Sequence, residues 1–154
     1  MEIKEFLSST QAIVDLRAPD KDSLLRELSQ RAAVTARLNA DGISSEILKR
    51  EKLGSTGIGG GVAIPHARIK GLKKPFGILA RLKSAIDFDA IDDKPIDIVF
   101  LLLLPVETEG EHITALASVA RILRDAEVLQ KLRRAADIAG LYRVMTENRQ
   151  SKIA

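Results

Sequence analysis

The segment IDIVFLLLLP, Ile96 to Pro105, leaves few choices to whatever folds around it. From Ile98 to Leu104 it is apolar without a break. It therefore lacks the in–out alternation of a strand with one wet face, and reads as a central strand buried on both sides. Such a strand demands a sheet with a covering layer on each face. Pro95 introduces the run and Pro105 ends it. It is far too short to cross a bilayer, which takes about 20 apolar residues.

The flanking sequence supplies those layers. Gln11 to Arg17 has a short apolar centre and suits an edge strand. Pro19-Asp20 opens a helix whose Leu24, Leu25, Leu28, Ala32 and Ala36 keep helical spacing to about Leu38, where the turn Asn39-Ala40-Asp41-Gly42 stops it. A second helix is expected from Ser44 as N-cap, stapled by Ile43 and Leu48, and running to Leu53 with Gly54 at its end. Short strands are expected at Val62 to Ile64 and at Phe76 to Leu82, the latter with Phe76, Ile78, Ala80 and Leu82 on one face and Leu79 on the other. Asp87 to Lys94 is polar and turn-rich.

After Pro105 the pattern is helical. Thr108 and Glu111 form a capping box, followed by a stripe of Ile113, Leu116, Ala117, Ala120 and Leu123. Val128, Leu129 and Leu132 mark a short helix, and Asp137 caps a last one carrying Ile138, Leu141, Tyr142 and Met145. The expected fold class is α/β (α+β): a three-layer α/β/α arrangement with a mixed β-sheet between helices. No low-complexity stretch, linker or repeat interrupts it, so residues 1–154 read as a single domain.

Composition narrows the function. Without cysteine there is no disulfide, thiol nucleophile or Cys-ligated zinc. A net charge of +3, with aromatics at 3%, argues against nucleic acid as a partner. The N-terminus MEIKEFLSSTQ lacks the apolar core of a signal peptide, so a cytoplasmic protein with no membrane insertion is expected.

The chemistry is concentrated in REKLGSTGIGGGVAIPHAR, Arg50 to Arg68. Five glycines precede a short apolar run and a histidine that follows a proline, His66. Glycines let backbone N–H groups close on an anion. Yet no Gly-Lys pair completes a P-loop, and the third glycine of G-x-G-x-x-G falls on Val62 or Ile64. The order is also helix–loop–strand, where both nucleotide motifs need strand–loop–helix. With two histidines in the chain and no paired-ligand spacing, no metal site is assigned. No cofactor is assigned either.

What remains is His66 as a nucleophile for phosphorus, since imidazole titrates near ~6.5 and keeps a free lone pair at neutral pH. Pro65 would help fix where the ring points. Spacing alone equally allows a satisfied polar residue at a turn. His112, in the first turn of the capped helix, sits where an anion is attracted and imidazolium disfavoured; it could also be an ordinary solvated residue. Arg50, at the end of a helix aimed at the glycine loop, could clamp a phosphoryl group or simply be hydrated. Ser55 and Thr56 could donate to an anion or satisfy backbone groups.

The glycine–histidine stretch, followed by DFDAID, DIVFLLLLP and EHITALASVARIL, resembles the fructose/mannitol-type enzyme IIA domains of the bacterial phosphotransferase system. It looks most like their nitrogen-related branch. The resemblance covers nearly the whole chain. It implies a phosphotransferase component in which His66 is the phosphorylated histidine, served by a histidine phosphocarrier protein as donor. Arg50 and His112 would stabilise the phosphoryl group, and Ser55, Thr56, Gly57, Gly59, Gly60 and Gly61 would form a phosphate-binding loop. Ala67 stands where many members have glycine, and Thr114 where some carry a further histidine.

The implied reaction is in-line phosphoryl transfer, which depends on positioning and charge stabilisation. An apolar rim of Ile58, Val62 and Ile64 is expected to receive the donor. Two outputs stay open. One is a regulator of target proteins, potassium transport or sensor components among them, switched by the added charge of about −1.5 to −2. The other is a sugar-specific carrier handing phosphate to a IIB domain. A chain with no fused partner domain favours the regulator.

Overall fold

The computed structural model of the protein describes residues 1–107 and 109–147, apart from the side chains of Glu109, Glu111 and His112. Its centre is β6 (Ile96–Pro105). On one side β6 pairs antiparallel with β5 (Phe76–Ile86), Ile78 opposite Leu101 and Ala80 opposite Val99. On the other it pairs in parallel with β3 (Val62–Ala63) and then with β4 (His66–Ile69). β1 (Ala12–Leu16) lies parallel to β5, and β2 (Gly57–Gly59) antiparallel to β3, giving the order β1-β5-β6-β3-β2 with β4 beside β6.

Both faces of β6 are covered, as its unbroken apolar run requires. Ile98, Phe100, Leu102 and Leu104 face one core, formed with α3 (Glu109–Leu123), α4 (Ala126–Arg134) and α5 (Ile138–Thr146). Val99, Leu101 and Leu103 face the other, formed with α1 (Lys21–Ala36) and α2 (Ala40–Lys52). The mixed sheet between two helical layers is the expected fold class. The split along β5 also agrees: Ile78, Ala80 and Leu82 join the α1–α2 core, and Leu79 the opposite one.

Three local expectations change. The residues taken as a turn, Ala40 to Gly42, are already helical. Arg37 adopts a left-handed conformation (φ 59°) that stops α1, and Asn39 caps α2, its side chain accepting from Gly42 N–H at 2.8 Å. With the cap five residues before Ser44, Ile43 is a core residue and not half of a staple. The second change is on α3, where the buried positions are Ala115, Ser118, Val119, Ile122 and Leu123. Leu123 of the expected stripe is buried and Leu116 and Ala120 are half-buried, while Ile113 and Ala117 are exposed. Third, the polar loop after β5 sends Phe88 fully into the α1–α2 core, under the Lys21 ammonium at 4.4 Å from its ring centre.

Asp125 and Asp137 cap α4 and α5, the second as expected. Thr108 and the side chain of Glu111, the expected capping box, lie outside the described residues. Among the described residues, no helix is long and apolar enough to cross a membrane.

Candidate active site

His66 opens β4, where the chain steps from one short strand to the next along the same edge of β6. β3 places Val62 opposite Ile98, and β4 places His66 opposite Leu102. Between them Pro65 has no N–H to give to a ladder. Its carbonyl accepts from Leu102 N–H at 2.9 Å, and Ile64 N–H turns away to the carbonyl of Thr56 at 3.0 Å. That step aims the Ile64 carbonyl at the His66 ring, whose Nδ1 lies 2.8 Å away. A carbonyl oxygen can only accept, so Nδ1 carries the proton and the neutral ring keeps its lone pair on Nε2.

The ring lines a cleft of about 400 Å³ between the two helical layers. Side chains opposite one another in a sheet share a face. His66 and Arg68, opposite Leu102 and Leu104, thus point to the α3 side of β4. One wall is α2, which presents Glu46, Lys49, Arg50 and Leu53 at the i, i+3, i+4, i+7 spacing of a single helical face. The other wall is the first half of α3, through Ile113 and Leu116.

Charge at the cleft favours an anion. Among the described residues, Lys49, Arg50 and Arg68 line it against one carboxylate, Glu46. Burial pushes the His66 imidazolium below its ordinary value, and the Arg50 guanidinium adds to that, while the Ile64 carbonyl and the Glu51 carboxylate oppose it. The ring is therefore held in the neutral, nucleophilic form. Arg50 also donates through Nη1 to the Gly54 carbonyl at 2.8 Å, closing the end of α2 beside the cleft.

His66 and Arg50 are thus brought together as the sequence reading expected. His112 is a residue of α3, next to the cleft-lining Ile113, but its side chain lies outside the described residues. The expected phosphate-binding loop is placed otherwise. None of Ser55, Thr56, Gly57, Gly59, Gly60 and Gly61 lines the cleft. Residues 57–61 instead build the β2–β3 hairpin, whose turn at Gly60 and Gly61 (φ 69° and 81°) only glycine enters without strain.

The hairpin's polar groups are already engaged. Gly60 N–H donates to the Asp92 carboxylate at 3.1 Å, and Gly57 N–H to Ser55 Oγ at 3.0 Å. The Gly61 carbonyl accepts from Asp97 and Ile98 N–H, and the Gly60 carbonyl accepts from Arg133 at 2.6 Å. This turn sits beside Ile98, four residues or about 13 Å up β6 from the partner of His66. Gly57 is needed for a second reason: a Cβ there would lie 2.7 Å from that of Ala90.

The residues of the expected docking rim do not line the cleft either. Val62 and Ile64 are buried on the inner face of the sheet, and Ile58 packs against the same core. The exposed apolar groups at the cleft are Leu53 and Ile113, 83% and 72% accessible. Sequence reasoning missed these and the basic partners Lys49 and Arg68. Two signals could have found them: alternation from His66 along β4, and the helical face that ends at Arg50. Among the described residues, no group of three or more His, Cys, Asp or Glu side chains could hold a metal.

Comparison with known proteins agrees with this geometry. Residues 5–148 match the family model described as phosphoenolpyruvate-dependent sugar phosphotransferase system, EIIA 2. A nitrogen regulatory protein of Bradyrhizobium diazoefficiens is 40% identical over 145 residues, spanning 94% of this chain and 95% of that one. One from Pseudomonas aeruginosa is 32% identical over 148 residues, 96% of each chain. The crystal structure of nitrogen regulatory protein IIA-Ntr from Neisseria meningitidis superposes with a TM-score of 0.89 at 31% identity, over 94% of this chain and 99% of that one. A neutral histidine in a cation-lined cleft, on a fold shared from end to end with these proteins, places the chain in the EIIA 2 family, phosphotransferase components that relay phosphoryl groups through a phosphohistidine.

Proposed function

We propose that the protein is a cytoplasmic, nitrogen-type enzyme IIA, one domain throughout, that accepts a phosphoryl group on His66 Nε2 from a histidine phosphocarrier protein. Its phosphorylation state then regulates target proteins. The observation that carries the reading is the Nδ1–Ile64 hydrogen bond, which assigns the ring proton and leaves Nε2 as the nucleophile. The relatives at 40% and 32% identity, both nitrogen regulatory proteins, support the regulatory output over sugar transport.

In the proposed step the Nε2 lone pair attacks phosphorus in line with the donor's P–N bond. That bond breaks, and its electron pair returns to the donor imidazole, which leaves neutral. The new Nε2–P bond makes the His66 ring cationic, and its Nδ1 proton stays on the hydrogen bond to Ile64. No base is needed and no metal or nucleotide enters. Arg50 and Lys49 supply the positive charge that such transfers depend on. A stabilising part for His112 rests on family resemblance alone.

The test is direct. Incubation with phosphorylated carrier should give one acid-labile, alkali-stable label per chain in the wild type and none in a His66→Ala variant. A label that persists in that variant would sink the assignment.

A further inference from the structure

Next to the cleft lies a buried ion pair that the transfer step does not touch. The Glu51 side chain is 4% exposed and meets Lys21 Nζ at 2.9 Å. The same carboxylate accepts from Thr56 N–H at 3.1 Å and from the Thr56 hydroxyl. Lys21 in turn donates to the Phe88 carbonyl at 3.3 Å over the Phe88 ring. A charge pair at this depth gives little net stability over apolar residues of the same size. Its geometry suggests another use.

The bonds continue past Thr56. Its carbonyl accepts from Ile64 N–H at 3.0 Å, and the Ile64 carbonyl accepts from His66 Nδ1 at 2.8 Å. Glu51 thus orients Thr56, Thr56 orients the Ile64 peptide, and that peptide orients the imidazole. Ile64 N–H and C=O belong to successive peptide planes joined at its Cα. Pro65 confines Ile64 to extended backbone, and the Pro65 carbonyl is held by Leu102 N–H, so anchoring the N–H leaves the Ile64 carbonyl little freedom.

We infer that Glu51 and Thr56 are positioning residues, which lock the Nδ1–H tautomer of His66 through the Ile64 backbone and so keep Nε2 free to receive the phosphoryl group. This explains Ser55-Thr56-Gly57 without any phosphate contact: Thr56 is 5% exposed, and its donors are spent on Glu51. Ser55 holds the flanking turn by donating to the Phe88 carbonyl at 2.7 Å. The kinetic consequence rests on His66 being the acceptor. The tautomer itself does not.

The test reads both. In ¹⁵N-labelled, unphosphorylated protein at alkaline pH, long-range proton–nitrogen spectra report which ring nitrogen of His66 holds the proton. Two variants weaken the relay: Thr56→Val, which removes the hydroxyl bond to Glu51 and keeps the backbone N–H one, and Lys21→Met with Glu51→Leu, which deletes both charges together and leaves neither unpaired. Each is expected to raise the ratio of Nε2–H to Nδ1–H about five-fold, the factor to which one hydrogen bond's typical net contribution corresponds. Phosphorylation kcat should fall in proportion to the Nδ1–H fraction lost, with KM for the carrier unchanged. Thr56→Ser, which keeps the hydroxyl, should behave as wild type.

A wild-type tautomer and rate in both variants would overturn the inference. So would an equal shift in Thr56→Ser, because the methyl group and not the hydrogen bond would then be responsible. If His66→Ala still accepted label, the proposed function would fail while the tautomer result stood on its own.

Discussion

Leu53 and Ile113 flank the His66 cleft from opposite helical layers, each more than two-thirds exposed. If a donor docks there, it covers them, and truncating either should weaken docking without disturbing the free protein. Leu→Ala or Ile→Ala removes three carbons, each contributing about 0.8 kcal/mol when buried. Scaling by the exposed fractions, 83% and 72%, gives about 2 kcal/mol for Leu53→Ala and about 1.7 for Ile113→Ala. At 1.4 kcal/mol per factor of ten, KM for the phosphocarrier should rise about thirtyfold and about fifteenfold.

The chemical step should not change, because this binding is the same in ground and transition states. Unfolding free energy should stay within about 0.5 kcal/mol of wild type, as for other exposed sites. Val34, 82% exposed on α1 and absent from the cleft, is the control. The assay is the initial rate of label transfer against carrier concentration. Unchanged KM in both cleft variants, or an equal rise in Val34→Ala, would refute the docking surface.

Two further outcomes follow from the same structure. Burial and Arg50 depress His66 below its ordinary value, so the acid limb of the phosphorylation rate should have its midpoint below about 6.5. Because the unfolded chain takes up that proton first, the stability contributed by His66 is complete above about pH 6.5 and declines as pH falls from there toward the folded value. A proton NMR titration of the ring reports this directly, and a midpoint at or above the ordinary value would contradict it. Separately, Gly57→Ala should lower stability by about 1–3 kcal/mol through overpacking, since its Cβ would lie 2.7–2.8 Å from Cβ and Cα of Ala90. Urea unfolding checks it, and a wild-type midpoint would refute the steric reading.

How far the sequence was legible depends on whether a residue's role is local. The run Ile98–Leu104 announces its two covered faces because a period-2 strand cannot be apolar throughout otherwise. Asp20 and Asp137 announce helix starts because capping is settled within one turn. Asn39 and Ser44 compete within five residues, and composition does not say which wins; the left-handed Arg37 decides it by ending α1 early. The stripe expected on α3 is met at Leu123, half met at Leu116 and Ala120, and missed at Ile113 and Ala117, because helical spacing alone does not say which of two adjacent faces meets the core. Ile113 is large but faces the cleft, and the core contact of α3 is made by Ala115, Val119, Ile122 and Leu123.

The site divides the same way. His66 and Arg50 are visible as chemistry-bearing residues in one stretch. That the glycines between them turn a hairpin is a tertiary fact, set by Asp92, Asp97 and Arg133 from distant segments. Glu51 carries no motif signal at all. Its role depends on Lys21, thirty residues earlier, and on Thr56 across the α2 terminus.

The electrostatics of the cleft also show why one set of charges can serve both halves of a transfer. A histidine nucleophile must be neutral before the reaction, and the group it gains must be neutralised afterwards. Arg50 favours both: its positive charge opposes imidazolium in the free ring and, with Lys49 in the same lining, attracts a phosphoryl group. Glu51 acts against the first effect, yet its carboxylate is paired with Lys21, so its field at the ring is reduced. In the proposed transfer the ring becomes cationic, and the Ile64 carbonyl that meets Nδ1 then accepts a stronger, charge-assisted hydrogen bond. The contact that selects the nucleophilic nitrogen is thus the one that stabilises the product.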